Sequence, residues 1–294
     1  MSDGHAGRPI VVGYDDSPES GQALGWALDE ARLRGLPVLV CHALNWPYAL
    51  RAVPKETVAQ IERVALGVVD DGVSRARKLA PEVDVRPLLG RGTPAAVLLE
   101  VARAAELVVL GFRGLGGFEG LRVGSAAVQV PAHSVGPVVV VRPLLPPDGR
   151  DVRDVRIVAG LDGSPASLAA FDFALEEAAL RGGALTALCC WGEHGSVPWE
   201  DPLPFVSSRA LRSGAEARFR EVVTQLAGRH PEVPVVTEFV TERAQRALID
   251  SSKEATLLVL GNRGNESPAC LLLGRVLQTA LLEAWCPVAV TPAT

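Results

Sequence analysis

The chain has 294 residues, of which 48% are hydrophobic and 21% are charged, and its formal net charge is −5 at pH 7. This length and composition predict two ordinary domains with buried cores and exclude a low-complexity, disordered chain. Arginine supplies nearly all of the positive charge, and no basic run is interleaved with aromatic residues, which argues against nucleic acid as a ligand.

The termini and the sulfur-containing residues exclude further classes. Segment 1–9 is short and polar, and no apolar stretch of about 18 residues follows it, so we expect a cytoplasmic protein with no membrane association. The chain has five cysteines and five histidines, with no CxxC pair and no metal-ligand spacing. We therefore predict buried free thiols and do not predict a protein-bound metal site.

Three sequence blocks of the first half recur in the same order in the second half. The matching blocks are Ile10–Pro18 with Ile157–Pro165, Leu107–Gly114 with Leu257–Gly264, and Pro137–Val140 with Pro287–Val290. Such ordered matches indicate an internal duplication. We expect one domain over residues 1–145 and a second over residues 151–294. The proline-containing segment 143–150 is then a short, stiff linker.

The first copy alternates strand and helix patterns. It predicts a strand over 9–14, a helix over 18–34 with Ser17 as its cap, a strand over 38–41, a helix over 55–80 and a strand over 83–89. A helix from Thr93 to about residue 104 follows, then an apolar strand over 107–110, a helix from Gly124 to about His133 and a strand over 137–141. This order predicts an α/β fold class with two doubly wound, five-stranded parallel-sheet domains in tandem. Ligands of such sheets bind at the carboxyl ends of the strands.

A glycine-rich pattern follows the fourth predicted strand. Gly111 and Gly114 come directly after the strand, and Gly124 and Ser125 begin the next helix. Glycine lets the backbone approach a ligand closely and adopt positive φ, and a helix start offers free N–H groups to a phosphate. The pattern predicts a cradle for a polyphosphate, to which Ser125 adds a hydroxyl. The alternative is a loop that serves the fold alone.

Two further positions lie at the ends of the first two predicted strands. The carboxylate of Asp15 could accept hydrogen bonds from a ribose or an adenine amino group; alternatively, it only helps the chain to turn into the helix. Ala43 is expected just past the second strand, on the other side of Asp15. Its backbone could contact the edge of the adenine.

These residues together resemble the universal stress protein family. The resemblance rests on Gly-x2-Gly-x9-Gly-Ser after a strand, on Asp15, and on the ending His133-x3-Pro137-Val-Val-Val, and it extends over nearly the whole of both copies. It implies ATP binding, the strand order 3-2-1-4-5, pairing of domains through their fifth strands, and a role in stress adaptation or dormancy. Carried over residue by residue, it implies adenine and ribose contacts at Gly13, Tyr14, Asp15 and Ala43. The implied phosphate contacts are Leu110, Gly111, Phe112, Arg113, Gly114, Gly124, Ser125 and Ala126. Arg113 either reaches a phosphate or is a solvated loop side chain.

The second copy departs from this pattern. It keeps Asp162, Gly261 and Gly274, but Arg275 replaces the serine and Glu266 enters the loop. Arginine at a helix start opposes the helix dipole, and Glu266 brings negative charge near the phosphates. We favour a second domain with a degenerate motif that has lost ATP and serves as a structural partner. In the alternative, Arg275 binds the phosphates as a cation.

The sequence gives no support for efficient catalysis. It contains no P-loop, no Gly-x-Ser-x-Gly and no HExxH, and nothing places a general base beside a nucleophile. We therefore expect an ATP-dependent stress sensor or regulator that acts on an unidentified protein partner, with Mg²⁺ held by ATP and Asp15 as an option. The alternatives are a nucleotide-free interaction scaffold and a slow ATPase. The apolar strands 137–141 and 287–291 predict an intrachain pseudo-dimer, and two chains could pair again as a homodimer.

Overall fold

The computed structural model describes residues 7–45, 54–115, 123–142, 155–191, 208–263 and 273–293. The chain divides into two compact units, Met1–Arg142 and Pro143–Thr294. The predicted linker 143–150, Gly264 and Glu266 lie outside the described residues. In the described ranges, no helix combines the length and the apolar character that crossing a membrane requires.

The first domain is a parallel sheet with helices on both faces. Its strands are β1 (Ile10–Gly13), β2 (Val38–Leu44), β3 (Val85–Arg91), β4 (Leu107–Gly111) and β5 (Val138–Val141). Its helices are α1 (Pro18–Arg34), α2 (Lys55–Leu79), α3 (Pro94–Ala102) and α4 (Ser125–His133). The strands lie in the order β3-β2-β1-β4-β5, as predicted, and α1 packs against α2 while α3 packs against α4.

The second domain repeats this architecture. Its strands are β6 (Arg156–Leu161), β7 (Ala184–Cys190), β8 (Val235–Val240), β9 (Leu257–Gly261) and β10 (Val288–Thr291). Its helices are α5 (Pro165–Arg181), α6 (Ser208–Ala227), α7 (Ala244–Ser252) and α8 (Arg275–Glu283). The strands are parallel in the order β8-β7-β6-β9-β10. The predicted fold class is therefore confirmed in both halves of the chain.

Local capping signals define the helix that follows the first strand. The Ser17 side chain accepts a hydrogen bond from the Ser20 N–H at 3.1 Å, and Pro18 occupies the first turn of α1. Gly35 ends the helix with φ 65°, a left-handed conformation that glycine adopts without strain. The second domain uses Ser164 and Gly182 in the same way. Because these signals are local, the predicted bounds 18–34 are confirmed.

The second strand is longer than its sequence pattern predicts. The prediction ended it at residue 41, whereas β2 continues to Leu44 and pairs with β3 as far as Leu44 and Arg91. Ala43 therefore lies inside β2, and the prediction that places it just past the strand is wrong. The neighbouring strand supplies the hydrogen bonds that keep these residues extended, and this partner is not visible in a single segment of sequence.

Candidate functional site

An open cavity of about 580 Å³, including the solvent at its mouth, lies at the carboxyl ends of β1, β2 and β4. This is the switch point of the sheet, where the strand order reverses between β1 and β4. Ten of the twelve predicted contact residues line the cavity: Gly13, Tyr14, Asp15, Ala43, Leu110, Gly111, Arg113, Gly114, Gly124 and Ala126. Ser125 is exposed at the first position of α4, between two residues that line the cavity, and the half-buried Phe112 is not part of the lining.

The carboxylate of Asp15 lies at the centre of a small hydrogen-bond network. Its Oδ1 accepts from the Ser17 N–H at 3.1 Å and from the Ser17 hydroxyl at 2.6 Å. Its Oδ2 accepts from the Leu115 N–H at 2.8 Å. A carboxylate offers about four acceptor positions, so Asp15 retains room for one more donor. It therefore helps the chain to turn into α1, as one alternative proposed, and it also holds the glycine-rich loop.

Close packing explains the glycines that surround this carboxylate. A Cβ atom on Gly13 would lie 2.8 Å from Leu110, and one on Gly111 would lie 2.8 Å from the backbone of Glu19. A Cβ on Gly114 would collide with the Asp15 carboxylate. None of Gly111, Gly114 and Gly124 has a positive φ, so that part of the sequence argument is wrong.

The amino terminus of α4 borders the same cavity, and Gly124, Ala126 and Ala127 are part of its lining. Gly124 is the N-cap of α4 with φ −70°, and no side chain caps the first turn. The Gly124 N–H donates to the Phe112 carbonyl oxygen at 2.9 Å, which closes the loop between β4 and α4. An uncapped helix start carries a partial positive charge and unsatisfied donors, and it therefore suits an anion.

Six residues that the sequence analysis missed also line the cavity: Ser20, Cys41, His42, Pro94, Leu98 and Ala127. The Ser20 hydroxyl accepts from the Asp15 N–H at 3.3 Å, and His42 Nδ1 lies 2.8 Å from the Tyr14 carbonyl oxygen. Burial raises the pKa of Cys41 to about 12, so its thiol stays neutral. His42 and Ser20 are close in sequence to predicted site residues, which was the available signal, whereas Leu98 and Ala127 reach the site only through tertiary packing.

The Tyr14 side chain is buried beside the site. Its hydroxyl donates to Asp16 Oδ1 at 3.0 Å. Burial raises the pKa of Tyr14, and the hydrogen bond and negative charge of Asp16 raise it further, so the phenol remains protonated. Asp16 has φ 63°, and Gly163 stands at the matching position of the second domain with φ 78°. The turn before α1 and α5 thus requires a left-handed residue.

The site offers little to a metal ion that the protein would hold by itself. Within the described ranges, no group of three or more His, Cys, Asp or Glu residues could bind a metal ion. Asp15 supplies the carboxylate of the cavity and already accepts three hydrogen bonds. Mg²⁺ commonly binds through one carboxylate and the phosphates of a substrate. The residues therefore fit Mg²⁺ only as an ion that arrives with phosphates, and Asp15 is the lining carboxylate that would help to hold it.

The second domain keeps the backbone frame of this site but changes its lining. Asp162 Oδ1 accepts from the Ser164 N–H at 3.0 Å, and a Cβ on Gly261 would lie 2.7 Å from the backbone of Ala166. Cys190 takes the position of Ala43. Burial, and then the negative charge of Glu242, raise the pKa of Cys190 to about 12. Arg275 is exposed at the first position of α8.

Comparisons with known proteins agree with this architecture. The family model described as "Universal stress protein family" matches residues 7–142 and again residues 155–292. A universal stress protein of Mycolicibacterium smegmatis is 31% identical over 300 residues, which cover 96% of each chain. One from Mycobacterium tuberculosis strain H37Rv is 30% identical over 294 residues, again 96% of each. The crystal structure of a universal stress protein from Archaeoglobus fulgidus has the same fold, with a TM-score of 0.70, 18% identity, and coverage of 97% of this chain and 96% of that one.

Proposed function

The chain belongs to the universal stress protein family, and from this premise we propose that its first domain binds ATP and that the protein is a nucleotide-dependent regulator of a stress response in the cytoplasm. The observation that carries the proposal is the cavity at the switch point. It gathers a carboxylate, a tight glycine loop and an uncapped helix start from three separate parts of the chain. Each of these groups matches one part of a nucleotide.

The lining of the cavity divides in a way that suits ATP. Cys41, Ala43, Leu98 and Leu110 form an apolar half in which a base can be buried. Arg113, Gly114 and Gly124 form the other half, where the start of α4 offers donors to phosphates. Asp15 lies with one acceptor position unused, which suits a ribose hydroxyl.

Nucleotide binding of this kind has enough free energy to control a loop. An affinity in the micromolar range corresponds to about 8 kcal/mol at standard state, and a difference of a few kcal/mol in affinity between two loop conformations is enough to select one of them. The hydrogen bond from the Leu115 N–H to Asp15 lies near the start of the loop between β4 and α4. The loop therefore responds to a ligand that binds the Asp15 carboxylate. Cellular ATP at millimolar concentration would keep such a site filled, so regulation requires either a weaker affinity for ATP or a protein partner that recognises the loop.

The second domain is proposed to lack this activity. Glu242 places negative charge beside Cys190, at the position where the first domain has the apolar Ala43. Arg275 replaces the small Ser125 and opposes the dipole of α8. We therefore assign the second domain a structural role, and the chain binds one ATP.

The nucleotide content of the freshly purified protein tests the proposal, with Gly124→Asp as the decisive variant. A Cβ on Gly124 would make ordinary contacts, the nearest at 3.5 Å, so the fold accepts a side chain there. Aspartate is a favourable N-cap, and this substitution should keep α4 folded while it places a negative charge against the phosphates. Gly124→Asn has the same size without the charge, and Gly274→Asp introduces the same charge in the second domain.

We expect about one ATP per chain in the wild type, in Gly274→Asp and largely in Gly124→Asn, and none in Gly124→Asp. Two ATP per chain, with one lost in Gly274→Asp, would overturn the assignment of the second domain. No nucleotide after addition of millimolar ATP would overturn the ATP site and leave the nucleotide-free scaffold. Release of ADP on prolonged incubation, abolished by Asp15→Ala, would indicate the slow ATPase.

A further inference from the structure

We infer that His42 selects the base of the nucleotide: its Nε2 accepts a hydrogen bond from an exocyclic amino group, which favours adenine over a 6-oxopurine. This inference rests on the proposed ATP site and adds to it a residue that determines specificity. It starts from a polar ring in the cavity to which the binding of ribose and phosphate gives no role.

The hydrogen-bonding state of the ring follows from its one partner. His42 Nδ1 lies 2.8 Å from the carbonyl oxygen of Tyr14, and a carbonyl oxygen can only accept. Nδ1 therefore carries the proton. In the neutral ring Nε2 then has a lone pair and is an acceptor. Within the described part of the chain, the Nδ1 contact is the only hydrogen bond that the ring makes.

The cavity brings this acceptor and the apolar half together from the two faces of β2. Cys41 and Ala43, its neighbours in β2, pack with the cluster that includes Leu98 and Leu110. Because side chains alternate along a strand, His42 projects to the opposite face of β2, beside the end of β1. Cys41 is a neutral thiol. Of the three β2 residues that line the cavity, His42 is therefore the one whose side chain provides a strong polar contact.

The chemistry of the purine edge determines what such an acceptor selects. Adenine presents an amino group at position 6, which donates hydrogen bonds, whereas hypoxanthine and guanine present an oxygen, which accepts them. An imidazole lone pair attracts the first and repels the second. A single hydrogen bond of this kind corresponds to roughly a five- to tenfold preference.

The second domain supplies a natural comparison at the same strand position. Gly13 pairs with Cys41 in the first domain and Gly160 pairs with Leu188 in the second, so the next residue of each strand, His42 or Cys189, occupies the matching place. Cys189 is buried and has no imidazole. The duplication has thus kept the frame of the site in both halves but the acceptor ring in only one.

Binding of ATP and ITP to the full chain, measured by calorimetry at pH 8, tests the inference with two variants. In His42→Asn, the amide nitrogen takes the place of Nδ1 and can still donate to the Tyr14 carbonyl, but no acceptor remains where Nε2 was. In His42→Gln, the terminal amide takes the place of Nε2 and can turn to accept from adenine or to donate to hypoxanthine. A role limited to holding the Tyr14 carbonyl would change both affinities equally and leave their ratio unchanged.

We expect the wild type to prefer ATP over ITP, and both variants to reduce that ratio by roughly five- to tenfold. In His42→Asn the affinity for ATP should fall while that for ITP rises slightly, because the repulsion is removed as well, and in His42→Gln the affinity for ITP should rise relative to that for ATP. Thermal unfolding shows whether each variant folds. If both variants fold and keep the wild-type ratio of ATP to ITP affinity, the inference is wrong while the ATP site stands. If only one variant folds, its ratio alone decides the same question. A wild type that binds neither nucleotide would instead overturn the proposed function itself.

Discussion

The carboxylate of Asp15 accepts a hydrogen bond from the Leu115 N–H at 2.8 Å, although 100 residues of sequence separate the two. The other oxygen of the same carboxylate accepts from the backbone and the hydroxyl of Ser17. Asp15 therefore joins the end of β1 to the start of α1 and to the loop that leaves β4. A ligand that donates to Asp15 acts on a group that already holds the loop.

The first prediction concerns this connection. Asp15→Ala should speed amide hydrogen exchange at Leu115 about fivefold, because the lost hydrogen bond to an exposed amide is worth about 1 kcal/mol. The ATP affinity proposed for the first domain should fall about tenfold in the same variant, since the ribose loses its acceptor. Residue-resolved exchange and calorimetry measure the two effects. Asp162→Ala is the matched control and should leave exchange at Leu115 unchanged. If the exchange rate at Leu115 is the same in both variants as in the wild type, the contact does not hold the loop.

The second prediction concerns the left-handed residue that follows Asp15. Asp16 has φ 63°, and its carboxylate accepts from the Tyr14 hydroxyl. Asp16→Ala should lower the free energy of unfolding by about 1–2 kcal/mol, because alanine is strained at this φ and the phenol loses its partner. Asp16→Asn should lower it by less than about 0.5 kcal/mol, since asparagine tolerates this conformation and keeps an acceptor. Urea unfolding measures both.

The matching position of the second domain separates the two causes. Gly163→Ala removes no hydrogen bond, so it should report the backbone strain alone, about 1 kcal/mol. Tyr14→Phe removes the hydrogen bond and leaves the backbone unchanged. If Asp16→Ala proved as stable as Asp16→Asn, the conformational argument would fail.

The sequence predicts those parts of the fold that local signals determine. Such signals depend only on residues close in sequence: Ser17 and Gly35 mark the ends of α1, and an apolar run marks β4. The repeat presents each of these signals a second time. The alternation of strands and helices predicts the doubly wound parallel sheet, whereas the strand order is implied by the family resemblance alone, and both are confirmed. Ten of the twelve predicted contact residues meet in one cavity because parallel strands bring their carboxyl ends to the same edge of the sheet.

Other features depend on partners distant in sequence and are not visible in a local pattern. β2 reaches Leu44 because β3 pairs with it, and Leu98 enters the cavity only when α3 packs on the sheet. Position 114 requires glycine because a Cβ there would collide with the Asp15 carboxylate, and not because its φ is positive. The left-handed conformation of Asp16 did have a signal in the sequence, because Gly163 is the residue at the matching position of the second copy.

The third prediction concerns an exchange of size between the two domains. Gly90 pairs with Ala43 in the sheet, and a Cβ on Gly90 would collide with Val97 of α3. In the second domain, Val240 takes the place of Gly90 in the sheet, and the residue that matches Val97 is Ala247. Each domain thus combines one small and one large residue at this contact between strand and helix.

Gly90→Val alone should lower the free energy of unfolding by about 2 kcal/mol, because the added methyl groups overpack the contact. Val97→Ala alone should lower it by about 1–2 kcal/mol through a cavity. The double variant should recover at least about 1 kcal/mol of the summed loss. A double-mutant cycle from urea unfolding measures this coupling, and strictly additive losses would contradict the proposed exchange.

The fourth prediction concerns the buried thiols. Burial raises the pKa of Cys41 to about 12, and burial together with the charge of Glu242 raises that of Cys190 to about 12. Since the thiolate is the form that reacts, both should label with a maleimide at least about a hundredfold more slowly in the native protein at pH 8 than in denaturing urea. Mass spectrometry of the peptides resolves the two sites. Glu242→Gln should speed labelling of Cys190 and leave Cys41 unchanged.

The same thiols make stability depend on alkaline pH. The ordinary thiol pKa is 9.0, so below pH 9 both states are protonated and the full stability is present. As the pH rises from 9 toward 12, the unfolded thiols ionise while the folded ones remain protonated, and the free energy of unfolding should fall. Urea midpoints across this window, compared with those of Cys41→Ala and Cys190→Ala, measure the effect. If the free energy of unfolding falls between pH 9 and 12 by the same amount in the wild type as in both variants, the buried thiols are not protected from ionisation. The same conclusion would follow if Cys190 were labelled as fast in the native protein as in the unfolded one.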